Sequence, residues 1–286
     1  MTLLTFLVDW LRRLGIQFST TLPHVATYTR ELPVSLARMY ENAIDGEHLP
    51  WLHKDSFAAL TIIENGAWGW RGQGYFQPRS FMTWTELELR LDRDNNRWVT
   101  TTLRGLGKGT QIVTHALPLA EDRIKVVVDF YVPKLPRFLH GLYARRFLET
   151  YSKLYDEDLW MMSTRQQQLD LRNEQRPLEL ATEVSLGSVD SVRRSAPFSF
   201  ELQKRQYRLV EIDGELIAYA ATCPHMLGPL QDASVEHGQV TCPWHGYRFD
   251  VITRECTSGQ QCKLPPAPEI VVHEELNEVV AKLPER

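Results

Sequence analysis

Cysteine is scarce in this 286-residue sequence, and long apolar runs are absent. The four cysteines all lie between residues 223 and 262, whereas a secreted disulfide scaffold distributes its cysteines through a much shorter chain. No segment reaches the 18 or more apolar residues of a membrane-spanning helix, and the N-terminus lacks a basic region followed by a small-residue cleavage site. These absences predict a cytoplasmic protein whose cysteines serve metal chemistry.

An excess of positive charge is also lacking. The formal net charge is −4, so the chain has no broad basic face with which to neutralise the phosphates of a nucleic acid. Nucleic acid is therefore excluded as a partner. Residues 1–14 are apolar and amphipathic, with Arg12 and Arg13 at the end of the apolar stretch, which allows either a weak membrane-surface contact or packing against the domain.

The hydrophobic pattern changes along the chain. Residues 81–130 alternate apolar and polar side chains and contain the turn sequence at residues 94–96, which predicts antiparallel strands with one buried face. The glycines at 105, 107 and 109 lie between two such strands without a following helix, so they predict a strand connection and not a phosphate site. From residue 136 to about 171 the period becomes helical, which predicts one long helix.

A polar run at residues 172–177 ends the helical pattern, and short strands follow, including an Asp213-Gly214 hairpin signal. We therefore expect two domains, 1–176 and 177–286. The 43% hydrophobic content is sufficient for two packed cores.

Two short Cys-His boxes lie in the second domain: Cys223-Pro-His225 and Cys242-Pro-Trp-His245-Gly246. Two thiolates and two imidazoles suit a [2Fe-2S] cluster in which histidines replace two cysteines on one iron, and this implies electron transfer. The same set could also form a tetrahedral zinc cage. The short Cys-x-His step, the prolines and the glycine turn favour the cluster.

The segments 223–230 and 242–250 closely resemble the two Rieske boxes. Respiratory Rieske proteins have an extra disulfide cysteine in each box, where this chain has Gly228 and Trp244, so the resemblance is to the oxygenase or ferredoxin kind. The glycine usual two residues after the first histidine is replaced by Leu227. The remaining Cys256 and Cys262 are expected to be buried small residues or spare thiols, not ligands.

Near the N-terminus, His48 and His53 are five residues apart, and Asp45 precedes the first by three. Two histidines and a carboxylate form the facial triad of non-haem Fe(II) oxygenases, which leaves positions open for dioxygen and substrate. The segment resembles the Asp-x2-His-x4-His motif of Rieske non-haem iron oxygenases. The resemblance gives His48 and His53 the ligand roles and makes Asp45 the bridge that passes an electron from the cluster.

For the third ligand, that family uses an aspartate on a long downstream helix, and this chain offers Asp156, Glu157 and Asp158. At 100° per residue, Asp158 lies within the apolar stripe of the predicted helix, Asp156 points nearly opposite and Glu157 falls on the flank. A carboxylate directed into a core requires a partner or a metal. Asp158 is therefore the predicted third ligand.

The resemblance implies an α+β chain: a helix-grip (START/Bet v1-like) catalytic domain, followed by a small all-β Rieske domain, the reverse of the family's usual order. It implies an oxygenase with a [2Fe-2S] cluster and Fe(2+), which takes electrons from a ferredoxin or NAD(P)H-dependent reductase. The reaction would use O2 to hydroxylate, demethylate or desaturate an apolar or aromatic small molecule. It also implies a homo-oligomer, a trimer.

Two alternatives remain open from the sequence. One is a non-enzymatic Rieske electron carrier fused to a helix-grip module that binds an apolar ligand, and the other is a zinc-stabilised binding module. An empty N-terminal metal site would distinguish the carrier. An aromatic-rich stretch could line a substrate cavity or belong to the core: Trp68, Trp70, Tyr75, Phe76, Phe81 and Trp84.

Overall fold

The computed structural model describes residues 22–173 and 181–284. The segment 1–14, for which we predicted a weak membrane contact, lies outside these ranges. The chain divides into two compact units, Met1–Ser163 and Thr164–Arg286. The division falls within a long helix, ahead of residues 176 and 177, where the sequence predicts the boundary. That boundary stays a prediction.

Within its described residues, the first unit contains a seven-stranded antiparallel sheet, two short helices and the larger part of a long one. Its strands pair in the order β1-β7-β6-β5-β4-β3-β2. The elements are β1 (His24–Leu32), α1 (Leu36–Ile44), α2 (Leu49–Leu52), β2 (Phe57–Gly66), β3 (Gly69–Phe76), β4 (Trp84–Asp92), β5 (Arg97–Gly105), β6 (Gln111–Ala120), β7 (Arg123–Tyr131) and α3 (His140–Asn173).

Strand β7 shows why the sheet has one buried face. Alternate residues of this strand, Ile124, Val126, Val128 and Phe130, are each 0% exposed. Burying side chains of this size contributes roughly 1.5–3 kcal/mol each. Residues between them are half-buried, as expected for a strand whose side chains alternate between two faces.

Helix α3 covers this apolar face. The Phe130 ring of β7 stacks on Phe147 of α3 with ring centroids 4.6 Å apart, and Tyr151 meets it edge-on at the same separation. Tyr155 and Met162 of α3 belong to the same buried cluster. A long helix packed against one face of an antiparallel sheet is the helix-grip architecture, so the predicted fold of this unit is confirmed.

Helix α1 begins at Ser35, whose hydroxyl accepts a hydrogen bond from the N–H of Arg38. Such a cap stabilises a helix by about 1 kcal/mol. The helix buries Met39, Asn42 and Ala43 on one face. This places the polar Asn42 among apolar side chains, where it needs a hydrogen-bond partner.

The second unit contains three three-stranded antiparallel sheets, ordered β11-β10-β9, β12-β13-β14 and β15-β16-β8. Leu209 and Val279 are 0% exposed in its core. Its elements are β8 (Glu183–Gly187), α4 (Val189–Ser195), β9 (Phe198–Leu202), β10 (Arg205–Ile212), β11 (Glu215–Ala220), β12 (Val235–Glu236), β13 (Gln239–Thr241), β14 (Arg248–Asp250), β15 (Glu269–His273) and β16 (Glu278–Lys282).

Several local predictions are confirmed. The glycine-rich segment connects β5 to β6, and Gly105, Gly107 and Gly109 all have positive φ, which glycine adopts without steric cost. Asp213 and Gly214 form the turn between β10 and β11. The long helix starts at His140, four residues later than expected, because a 3₁₀ turn occupies Arg137–Leu139.

Within the described ranges, no helix has the length and apolar character needed to cross a membrane.

Candidate metal centres

The short helix α2 brings His48 and His53 together. His48 precedes the helix and His53 ends it, and the N–H groups of Leu52 and His53 donate to the carbonyls of His48 and Leu49. This single turn sets the two imidazole rings edge to face with centroids 5.2 Å apart. The two histidines are 3% and 1% exposed, which is unusual for residues that carry polar rings.

Asp158 of α3 joins these histidines. Its Oδ1 atom lies 3.1 Å from His53 Nε2 and 3.5 Å from His48 Nε2. One ligand atom from each of the three residues lies within 4.8 Å of the other two. The Asp158 side chain is 12% exposed, whereas that of Asp156 is 63% exposed and pairs with Arg30. The structure therefore turns Asp158, and not Asp156, toward the histidines.

Three further polar side chains hold this set in place. The Glu157 carboxylate accepts from His53 Nδ1 at 2.6 Å, so the Nε2 atom of that ring faces Asp158. Asn42 Nδ2 donates to Asp158 Oδ1 at 2.8 Å. Asp45 Oδ2 lies 3.6 Å from His48 Nδ1. Partners of this kind orient metal-ligating histidines and carboxylates.

Sequence reasoning assigned no positioning role to Asn42 or Glu157. A usable signal existed for each residue, since Asn42 is a polar residue in the apolar stripe of α1 and Glu157 is adjacent to the predicted ligand. Neither signal identifies the hydrogen-bond partner, because that depends on how α1, α2 and α3 pack.

The charges of this group are strongly coupled. Burial lowers the pKa of His48, but the adjacent carboxylates of Asp158 and Asp45 outweigh it and raise the pKa to about 9. Burial raises the pKa of Asp158, but the hydrogen bonds from His48 and His53 outweigh it and hold that pKa well below its usual range. A carboxylate that stays ionised in a buried site matches the need of a cation.

A cavity of about 130 Å³ adjoins these side chains. Trp70 is the member of the predicted aromatic stretch that lines it, since the other five do not reach it. Its remaining apolar walls come from both the sheet and the helices: Met39, Ala43, Leu49, Phe57, Leu87, Leu89, Trp98, Tyr151, Leu154 and Tyr155. The cavity is thus mostly apolar, and the polar side chains in its lining are Asn42, Asp45, His48, His53, Thr100, Thr114 and Asp158.

The donor set fits a mononuclear Fe(II) ion. Two imidazole nitrogens and one carboxylate oxygen are the donors of the facial iron triad. His48, His53 and Asp158 would hold the ion, and the adjoining cavity would give space to further ligands on it.

In the second unit, two loops carry the Cys-His boxes. Between β11 and β12, the N–H of Cys223 donates to the carbonyl of Gly228 at 2.8 Å, and between β13 and β14 the N–H of Cys242 donates to the carbonyl of Tyr247 at 2.8 Å. Cys223 and Cys242 are each 1% exposed, whereas His225 is exposed. The thiols therefore lie inside and one imidazole reaches the surface.

The two histidines of the boxes approach each other closely. The rings of His225 and His245 have centroids 4.5 Å apart, and Tyr247 stacks on His225 at the same distance. A hydrogen bond between the two thiols raises the pKa of Cys223 and, as its largest cause, lowers that of Cys242 to about 5. One of the two sulfurs is thus readily a thiolate, the form that binds iron.

The loops also pack too closely at Gly228 to admit a side chain there. A Cβ atom at Gly228 would lie 2.9 Å from Cys242 Sγ and 3.0 Å from the Trp244 ring. Leu227, in place of the usual glycine, adopts φ +65, a left-handed conformation that costs a non-glycine residue about 1–2 kcal/mol. The substitution noted in the sequence thus leaves the glycine-like backbone intact, and the residues fit a [2Fe-2S] cluster held by Cys223, His225, Cys242 and His245.

The second unit matches a known protein family. Residues 182–273 match the Rieske [2Fe-2S] domain family. The chain thus carries a Rieske domain, which implies a [2Fe-2S] cluster and a function in electron transfer or oxygenase-type chemistry. The predicted arrangement of a helix-grip fold followed by an all-β Rieske domain is confirmed. A search among curated proteins found no match.

Solved structures resemble each half separately. A point mutant of norcoclaurine synthase from Thalictrum flavum is 20% identical, with a TM-score of 0.41, and the match covers 51% of this chain and 97% of that chain. The Zhui aromatase/cyclase from Streptomyces sp. R1128 is 14% identical, with a TM-score of 0.41, covering 51% and 96%. The ferredoxin of carbazole 1,9a-dioxygenase from Nocardioides aromaticivorans IC177 is 24% identical, with a TM-score of 0.31, covering 36% and 100%.

Proposed function

We propose that this protein is a Rieske-type non-haem iron oxygenase. The observation that carries the proposal is the buried set of His48, His53 and Asp158 beside a cavity, in a chain that also holds a Rieske domain. An Fe(2+) ion bound there would supply the activation of O2, with electrons delivered through the [2Fe-2S] cluster. The external electron donor is a ferredoxin or an NAD(P)H-dependent reductase.

The residues around the ligands have defined tasks in this proposal. Glu157 holds the tautomer of His53 that directs Nε2 at the ion, and Asn42 keeps the Asp158 carboxylate oriented. Asp45 contacts the Nδ1 side of His48 and is proposed to link that ligand to a cluster histidine, within one chain or between copies in a trimer. Glu157 lies outside the cavity, whereas Asn42 and Asp45 belong to its lining together with the three ligands, so O2 and substrate would approach the ion from the cavity.

The cavity limits the substrate class. Its walls are mostly apolar and its volume is about 130 Å³, close to the roughly 150 Å³ of an apolar cavity known to accept benzene. We therefore propose an apolar or aromatic substrate of about one ring. Its mostly apolar walls give the reacting carbon an apolar environment, with which hydroxylation, demethylation or desaturation would each be compatible.

Metal analysis tests the proposal. Protein purified anaerobically is assayed for iron and acid-labile sulfide per chain, and its reduced form is examined by electron spin resonance. About three irons, two sulfides and a Rieske signal are expected, because the cluster takes two irons and the triad one. About two irons, with no third recovered after Fe(2+) is added, would favour the electron carrier. Zinc without labile sulfide would contradict both.

A turnover assay follows on the same sample. Dithionite-reduced protein is mixed with O2 and methoxybenzene, a single-ring probe that reports both hydroxylation and demethylation. Hydroxylation of the ring should give a product that retains an atom from ¹⁸O-labelled O2, whereas demethylation should give formaldehyde and phenol whose oxygen comes from methoxybenzene. Failure with a panel of single-ring probes, in protein that contains all three irons, would contradict the substrate class.

A further inference from the structure

A second pair of cysteines lies on a small hairpin of the Rieske unit. Glu255 and Lys263 face each other across two antiparallel segments. The backbone N–H of Cys256 donates to the carbonyl of Cys262 at 3.3 Å, and that of Leu264 donates to Arg254 at 2.9 Å. Cys256 and Cys262 are therefore directly opposite residues of one ladder.

This register places the two thiols on the same side of the hairpin. Directly opposed residues that share a backbone hydrogen bond have Cα atoms about 5.5 Å apart, which is within the range that a disulfide spans. The two thiols are close enough for each to shift the pKa of the other, and both residues are half-buried. By contrast, Cys223 and Cys242 are almost fully buried.

Hydrogen-bonding groups surround one of these sulfurs. Ser258 Oγ lies 3.3 Å from Cys256 Sγ. Burial raises the pKa of the Cys256 thiol, but a hydrogen bond with the Ser258 side chain and hydrogen bonds from the N–H groups of Ser258 and Gln260 outweigh it, and the pKa is lowered. Burial and the adjacent Cys256 raise the pKa of Cys262 to about 11. Cys256 is thus the better nucleophile, and Cys262 stays protonated.

We propose that Cys256 and Cys262 form a reversible disulfide when the protein meets a peroxide, so that the Rieske unit carries a two-electron thiol couple separate from its cluster. The Cys256 thiolate attacks a peroxide oxygen, the O–O bond breaks and hydroxide leaves, which gives a sulfenic acid. The Cys262 thiol then attacks that sulfur, the S–O bond breaks and water leaves. In total, two thiols lose two electrons and one hydrogen peroxide becomes two waters.

Mass spectrometry of the full-length, cluster-loaded protein tests this. The protein is treated with hydrogen peroxide, its free thiols are blocked with N-ethylmaleimide, and it is digested with trypsin without reductant. Cleavage after Arg254 and Lys263 releases both cysteines in one peptide, 255–263. We expect that peptide to appear without label and two hydrogens lighter, and to take two labels after treatment with dithiothreitol.

Two results would overturn the proposal. One is a peptide that still takes two labels after peroxide treatment, and the other is oxidation of Cys256 to a sulfinic acid with Cys262 still labelled. Cluster absorbance is recorded throughout, so that thiols released by cluster loss are recognised. The test does not depend on the iron site or on turnover.

A pair of variants examines the role of Ser258. Ser258→Ala removes the hydroxyl beside the Cys256 sulfur and should slow disulfide formation several-fold. Thr257→Ala removes a neighbouring hydroxyl that contacts Gln239 and Arg248 instead, and it should react like the natural protein. Equal rates in both variants would overturn the activation by Ser258.

Discussion

Asp156 and Asp158 lie two residues apart on α3, and the helix turns them toward opposite surroundings. Asp158 contacts two buried histidines, whereas Asp156 pairs with Arg30 at the surface. Surface pairs of this kind contribute about 0–1 kcal/mol, while a buried carboxylate without partners would be costly. The Asp156 carboxylate thus forms a surface ion pair, whereas the Asp158 carboxylate is placed as a metal ligand would be.

These two aspartates offer a matched test of the proposed iron site. Asp158→Asn should lower iron from about three to about two per chain and leave labile sulfide unchanged, because one anionic ligand is replaced by a neutral amide. Asp156→Asn should retain all three irons. The measurement is iron and sulfide per chain after anaerobic purification. Full iron in Asp158→Asn would contradict the assignment.

Glu157 permits a finer prediction. Replacing it with Gln keeps the size of the side chain but weakens its hold on His53 Nδ1, and changes of this kind cost roughly 10–100-fold in metal affinity. Titration of the iron-depleted protein with Fe(2+), read against a competing chelator, should show that loss with the cluster intact. An unchanged affinity would mean that Glu157 does not position His53.

Single residues also show where sequence reasoning reaches its limit. The relation of His48, His53 and Asp158 could be anticipated, because spacing and helical phase are properties of the sequence. The contacts of Asn42 and Glu157 could not, because each depends on a side-chain conformation set by three packed helices. Cys256 and Cys262 were expected to be spare thiols, and their opposition arises from a hairpin register that the sequence pattern does not display.

At the scale of elements, strands β4 to β7 and helix α3 follow from hydrophobic periodicity. Strands β1 to β3 were not predicted. Strand β3 contains Gly69, Gly72 and Gly74, a residue type that is depleted in strands. A Cβ at Gly74 would lie 2.0 Å from the carbonyl oxygen of Ala59. Close approach of a neighbouring backbone is what keeps glycine in this strand, and it is visible only once the sheet is assembled.

The first Rieske loop is the element most sensitive to added volume. Gly228→Ala would push a methyl group against Cys242 Sγ and the Trp244 ring, so we expect labile sulfide per chain to fall well below the natural value. Gly141→Ala, on α3, meets no atom within 4 Å. That control should keep its cluster and stabilise the helix by about 1 kcal/mol. Normal sulfide in Gly228→Ala would show that the loop can move aside.

Tyr219, on strand β11, should make the stability of the protein depend on pH. Tyr219 is 0% exposed, and within the described part of the chain its hydroxyl has no hydrogen-bond partner. Burial raises the pKa of Tyr219 from 10.0 to about 12, and nearby Arg208 opposes the shift. Between these values the folded state holds a proton that the unfolded state has lost, so stability falls as pH rises, by up to about 1.4 kcal/mol per pH unit.

Tyr219→Phe removes that titration. The difference in unfolding free energy between variant and natural protein, measured by denaturant melts, should be constant below pH 10 and shift in favour of the variant from pH 10 to about 12. Below pH 10 the variant should be at least as stable, because a buried hydroxyl without a partner is lost. A constant difference across the whole range would contradict the raised pKa.

At the scale of the whole molecule, the proposal requires two redox centres to act together. Asp45→Ala should leave three irons and two sulfides in place, because Asp45 is not a proposed ligand. It should nevertheless slow the oxidation of the reduced cluster by O2, in the presence of substrate, by about tenfold or more. Stopped-flow absorbance of the cluster measures this. Glu47→Ala, which removes an exposed carboxylate from the same loop, should behave normally. Normal cluster oxidation in Asp45→Ala would contradict the bridging role.

The order of the units has a consequence for biosynthesis. His48, His53 and Asp158 all precede Cys223, the first cluster cysteine, in the sequence. A ribosome adds about 5–20 residues per second, and domains generally fold as units as they emerge. The helix-grip unit therefore has several seconds in which to fold around His48, His53 and Asp158 before Cys223 and Cys242 have been synthesised. For the proposed function this means that the nascent chain would offer its nitrogen and oxygen site to Fe(2+) before it offers the thiolates that iron–sulfur assembly requires.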